Sequence, residues 1–339
     1  MPTSGEMVTA AAAVLAAILA LIAAVHSARV SRATASSLEL LKADLAREAA
    51  DAQSKRAFED AARQRVYREC EPIIIKLATS CDIAADRIVE LADPRRWPEL
   101  SASRDIDSFW MLAKSSEVIS MARALLEPLC YYTLLSEKVT HVDLTFDRRV
   151  AEIYTLARAA YSVHLNDYKI AAMKPEIAYD PVVPGWRQKR AQEPAAYWWQ
   201  GLTRGRLDPA IELCIHRGEG RLTTLAEFER RYLDLFDRPK DSQSKSLGLF
   251  CNPVYNFTPT TRPVYWRMLM SLLLIYRRIS LRSRLPAEIA TSRRFEFNRR
   301  DVSALQAHGA IPDAFLDSGF DVALRYADDL LQDARIEAA

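Results

Sequence analysis

Glycine is scarce in this chain, nine in 339 residues, and none of it forms a phosphate-cradling loop. The spacing GxxxxGK followed by Ser or Thr is missing, and so are GxGxxG, HExxH, GxSxG and the protein-kinase set. The common nucleotide-binding, zinc-protease and hydrolase chemistries therefore have no basis in the sequence. Histidine is rarer still, at five. His141 with Asp143 and His164 with Asp167 are the nearest acid/base pairs, and such pairs are ordinarily surface hydrogen bonds; His216 and His308 stand alone. The cysteines at 70, 81, 130, 214 and 251 form no CxxC and no Cys/His ligand set. They read as buried thiols of a reducing compartment, Cys70 and Cys81 sharing a face if one helix carries both. The expectation is of no catalytic residue, no cofactor and no metal.

Charge of one sign is also lacking, since the net charge is only +2, which excludes a globally basic polymer-binding protein. The charge is nevertheless uneven. Arg262 to Arg300 holds ten Arg, no Lys and two acids, a local +8, whereas Asp301 to the end holds eight acids against two Arg, a local −6. Half the residues are apolar and about a quarter charged, as in a folded globular protein with a core of its own. The length suffices for one large or two ordinary domains.

What is present begins with Val8 to Val25, VTAAAAVLAAILALIAAV, a run without charge, Gly or Pro. Its 18 residues would extend about 27 Å as a helix, close to the hydrocarbon thickness of a bilayer. Eight are Val, Leu or Ile, which together favour insertion by roughly 2 to 5 kcal/mol. A cleaved signal peptide would have a basic start, and the only charge before the run is Glu6. The run predicts one transmembrane helix in the lipid bilayer. Arg29 and Arg32 follow it, so the positive-inside rule puts the short tail, residues 1–7, outside and the bulk of the chain in the cytoplasm.

Within the run, Ala12, Ala16, Ala20 and Ala24 recur every four residues, a small-residue stripe along which two helices could associate. Beyond it no Gly or Pro occurs before Pro72, so residues 26–71 predict a helical stalk. Leu38, Leu41 and Leu45 supply one heptad of a coiled coil, fewer than the three or four a firm assignment requires. Membrane helix and stalk together suggest a homo-oligomer.

From Pro72 onward the chain predicts an all-α cytoplasmic domain, 72–339, with irregular aromatic-rich loops. Helical periodicity marks residues 72–92, a segment from 106 to 139 kinked at Pro128, and another from Asp147 to Met173. Residues 174–206 turn irregular, with four Pro, and Trp186, Trp198 and Trp199; they read as a lid packed on the domain or, less simply, as a pocket wall. Asp208-Pro209 has the chemistry of a helix start, Gly218 and Gly220 that of a break, and Thr224 with Glu227 that of a capping box opening a helix to about Phe236. Residues 237–262 read as surface loop followed by irregular chain, with a short strand around Val254, Tyr255 and Phe257. Pro263 opens the most apolar helix, charge-free from Met268 to Tyr276, and a last helix covers Asp313 to Ile336.

One cluster carries candidate binding chemistry: Arg277, Arg278, Arg282, Arg284, Arg293, Arg294, Arg299 and Arg300. Guanidinium groups suit planar recognition of phosphate on nucleic acid or lipid headgroups. The competing reading is that the acidic final helix neutralises them. The sequence as a whole reads as a membrane-anchored helical interaction or scaffold protein, with a membrane-tethered sensor of anionic nucleic acid or lipid as the alternative.

Overall fold

The computed structural model describes residues 4–93, 116–140, 144–165, 204–238, 241–251, 254, 257, 263–284, 295–307 and 313–336. They are almost wholly helical. The elements are α1 (Ser4–Leu91), α2 (Ser116–Val139), α3 (Arg148–Val163), α4 (Arg204–Glu212), β1 (Ile215–His216), β2 (Arg221–Leu222), α5 (Leu225–Phe236), α6 (Ser242–Cys251), α7 (Pro263–Arg284), α8 (Arg299–Ala307) and α9 (Asp313–Ile336). Two compact units emerge, Met1–Ala62 and Arg63–Ala339.

The first unit is the N-terminal part of α1. Its large apolar side chains are exposed wherever they are described, including Leu15, Ile18, Leu19 and Ile22 in the apolar run and Leu38, Leu41 and Leu45 beyond it.

The second unit is a helical bundle. Its share of α1 buries Val66, Cys70, Ile74, Leu77, Cys81, Ala84 and Ile88, a spacing of three and four that defines one helix face. A helix restart at Pro72 was the expectation, yet α1 passes through this residue unbroken. An internal proline costs about 3 kcal/mol in a helix. Here it lies on the exposed side, between Cys70 and Ile74, and the burial of the stripe on both sides of it offsets that cost. Pro128 is likewise internal to α2.

The centre of the bundle is α7, buried on every side from Tyr265 to Tyr276. It packs against α3 and α9, and α3 packs in turn against α2 and α9. Two contacts fix α3 and α7 as antiparallel: the Arg149 guanidinium donates to the Ser283 carbonyl at 3.0 Å, and Arg282 pairs with Glu152. Asp147 caps α3, accepting from the amides of Arg149 at 2.9 Å and Val150 at 3.1 Å. It also accepts from the Tyr67 hydroxyl, so the cap is tied to α1.

Three local expectations need correction. Asp208-Pro209 does not start a helix: α4 begins at Arg204 and contains Pro209, while the Asp208 carboxylate accepts from the Tyr161 hydroxyl at 2.6 Å and so joins α4 to α3. The break at Gly218 and Gly220 is a small hairpin, with Ile215 opposite Leu222 and His216 opposite Arg221. A Cβ on Gly220 would meet nothing, but its φ of 60° belongs to the left-handed region, and this is what selects glycine there. The polar stretch after Phe236 yields α6, whose Leu247, Phe250 and Cys251 are buried against the bundle. Ser246 returns its hydroxyl to the Ser242 carbonyl at 2.8 Å, which satisfies it and lets a serine-rich turn enter an apolar environment. Val254 and Phe257 are buried and lie in no strand.

Candidate functional site

The arginine-rich end of α7 meets carboxylates from three other helices. Arg277 places its fork on Asp301 of α8, with Nε to Oδ2 and Nη2 to Oδ1 both at 2.9 Å. The same guanidinium reaches Asp86 of α1 at 2.6 Å and Asp82 at 3.4 Å. Burial opposes the charge on Arg277, but the Asp301 and Asp86 hydrogen bonds outweigh it and hold the group firmly protonated. Arg284 pairs with Asp82 and Arg282 with Glu152 of α3. Nearby, Arg149 of α3 bridges to Glu71 of α1 at 3.0 Å. The end of α7 is thereby riveted to α1, α3 and α8.

The opposed charge blocks meet at Arg277 and Asp301. Among the described residues Asp301 pairs with Arg277, and Asp82, Asp86 and Glu152, far upstream in sequence, pair with Arg277, Arg282 and Arg284. Arg278 is partly buried, and desolvation lowers its pKa while nearby Glu152 works the other way. Arg299 and Arg300 are exposed in the first turn of α8, where the helix dipole gives no support to a cation. Arg293 and Arg294 lie outside the described residues, as does most of the aromatic stretch 186–206. Ala12, Ala16, Ala20 and Ala24 all lie exposed along α1.

The histidines divide in the same way. His141 and His308, with Asp143 and Asp167, lie outside the described residues. His164 follows α3 and is buried, its ring centroid 5.7 Å from that of Phe250 and its Nε2 without a partner among the described residues. Burial alone pushes its pKa down to about 4. His216 sits in the hairpin within 3.4 Å of Glu227 and beside the Arg231 guanidinium. The Glu227 carboxyl is held far below its usual range, chiefly by hydrogen bonds from Arg221 and the Thr224 amide. The capping box is formed, with Glu227 N donating to Thr224 Oγ1 at 3.3 Å and Thr224 N to Glu227 Oε2 at 2.6 Å.

Two arginines within the bundle escaped the sequence reading. Arg123 of α2 donates to the hydroxyl and the carbonyl of Thr223 at 2.8 and 2.6 Å and lies over the Phe228 ring at 5.5 Å. It fastens the hairpin to α2. Arg267 of α7 is buried, and neither Nε nor Nη1 has a partner among the described residues. Desolvation lowers its pKa to about 10, which leaves it charged at neutral pH. The signal for it was legible: a lone Arg in VYWRMLMSLLL with no acid within a helical turn. Because no counterion for the Arg267 Nε and Nη1 lies among the described residues, and a buried charge so placed is a net cost, Arg267→Met, which keeps length and flexibility, is expected to stabilise the protein by about 1–2 kcal/mol. A denaturant titration measures this, and a lower midpoint in the variant would show that the guanidinium is held by an anion.

All five cysteines are buried and unbridged. Among the described residues no group of three or more His, Cys, Asp or Glu is placed to hold a metal ion. The arrangement thus offers structural ion pairs, a formed capping box and a neutral buried imidazole. No protein-family model, curated protein or solved structure matches this chain.

Proposed function

We propose that this protein is a single-pass membrane protein that displays a helical bundle at the cytoplasmic face of the bilayer as an interaction or scaffold module. The observation that carries the reading is the apolar run of α1: it is helical, long enough to cross a bilayer, and its described side chains are exposed. Large aliphatic groups from Val14 to Val25 would otherwise stand in water. The other helix long and apolar enough, α2, has most of its apolar stretch buried in the bundle and reads as a core element. Arg29 and Arg32 on the C-terminal flank support the cytoplasmic assignment. The interaction role rests on the bundle itself, where the cationic end of α7 is spent largely on ion pairs that join helices.

The test is extraction of cell membranes with alkaline carbonate. The full chain is expected to stay in the pellet and a chain lacking residues 1–25 to move to the supernatant. Full-length protein recovered in the supernatant would end the reading. A cysteine placed at Ser4 in the short tail should react with a membrane-impermeant maleimide added to intact cells.

A further inference from the structure

We infer that α1 carries a seam for a second copy of this chain, aligned in parallel, that runs from the membrane helix into the stalk. The inference rests on the membrane reading above. Leu38, Leu41 and Leu45 are 48%, 59% and 56% exposed along a helix with no partner in the first unit. Stepping back from Leu38 in alternating strides of four and three lands on Thr34, Ser31, Ser27 and Ala24, all exposed and all small or uncharged. The same register then falls on alanine at 20, 17 and 13.

Charge avoidance makes this line a candidate interface. His26, Arg29, Arg32, Glu39, Lys42 and Asp44 all fall in the stretch the seam crosses, and none occupies a seam position. Thr34 returns its hydroxyl to the Val30 carbonyl at 2.7 Å, so it presents its methyl group without an unmet donor. The next core position after Leu45 is Glu48, which ends the dry part. Beyond it, Asp51 and Arg56 flank Ala52 at positions that parallel pairing brings together across the interface with opposite charges.

A second copy is the occupant that fits. Anchors in one bilayer hold two identical helices at the same height, so Leu38 meets Leu38 and the small residues meet small residues, as knobs-into-holes packing requires. The seven-residue period gives a left-handed pair. It differs from the four-residue stripe of Ala12, Ala16, Ala20 and Ala24 in using Ala17 and Ala13 in place of Ala16 and Ala12.

Oxidative cross-linking in native membranes of variants that each add one cysteine to the five buried ones tests this, with the wild type as baseline. Leu38→Cys, Leu41→Cys and Leu45→Cys are expected to give disulfide-linked dimer several-fold above Leu40→Cys, which lies off the seam although Leu40 is 68% exposed. In the membrane segment Ala17→Cys should exceed Ala16→Cys. Equal yields on and off the seam, or none anywhere, would overturn the inference. Pelleting the same membranes separates the two questions: protein in the pellet without the pattern refutes the seam, whereas protein in the supernatant refutes the anchor.

Discussion

Arg277→Ala is expected to destabilise the bundle by about 3–5 kcal/mol, the range for removing one partner of a buried ion pair. The guanidinium meets Asp301, Asp86 and Asp82, and the Asp301 side chain is only 4% exposed. Without Arg277, that buried carboxylate would lose its bidentate partner. Asp86 gives the contrast. Its side chain is 52% exposed, so Asp86→Asn should cost no more than about 1 kcal/mol, as for a surface pair. Arg277→Lys should fall between the two, because an ammonium keeps the charge but cannot grip Asp301 with two parallel hydrogen bonds. Urea unfolding of the detergent-extracted full chain, followed by far-UV circular dichroism, ranks the three. If Arg277→Ala cost no more than Asp86→Asn, the buried pair with Asp301 would not be the joint described above.

The second large effect concerns acid. His164 is neutral in the fold because burial pushes its pKa down to about 4, against about 6.5 when exposed to water. Its unfolded form therefore binds a proton before its folded form does, and stability falls as pH drops below the unfolded value. The loss continues until the pH passes the folded value. Between pH 7 and pH 5 this one group should cost roughly 2 kcal/mol. Both pH values lie above the ordinary carboxylate midpoints of about 3.9 to 4.3, and the variant isolates the part due to the imidazole. His164→Gln, which cannot take up a proton, should lose that part of the pH dependence whatever its stability at pH 7. Comparing urea midpoints of wild type and variant at the two pH values makes the measurement. Parallel shifts in both proteins would mean that the imidazole is not the titrating group.

Much of the helical layout was legible because it depends on local chemistry. Pro263 at a first helical position, the charge-free run to Tyr276 and the limits of α9 can each be read from neighbouring residues, and the structure places them there. Thr224 and Glu227 form their capping box because the reciprocal bonds join residues three apart. Cys70 and Cys81 share the core face of α1, as three helical turns require. What could not be read depends on partners remote in sequence. Pro72 and Pro209 lie inside helices because packing elsewhere outweighs the lost backbone bond. Asp208 has cap chemistry, but Tyr161 gives it another role. The serines of α6 suggested a loop until buried Leu247 and Phe250 showed which face of that segment enters the core.

The arginine cluster illustrates the same limit at the level of function. Eight guanidinium groups close in sequence have the chemistry of an anion receptor, and composition alone does not show which of them meet carboxylates. The pairing of Arg277, Arg282 and Arg284 with Asp82, Asp86, Glu152 and Asp301 depends on a fold that brings α1, α3 and α8 to one end of α7. Arg267 presents the opposite case: alone among apolar neighbours, it stands out in the sequence as clearly as in the bundle.

The shielding of all five cysteines turns them into built-in clocks. Desolvation raises the pKa of Cys70, Cys81 and Cys130, so even a reagent molecule that reached them would find few thiolates. Their alkylation rates report how often each region opens, Cys70 and Cys81 timing the departure of α1 while Cys130 and Cys251 time α2 and α6. The native chain thus carries its own gauge of local breathing, readable by mass spectrometry without any foreign label.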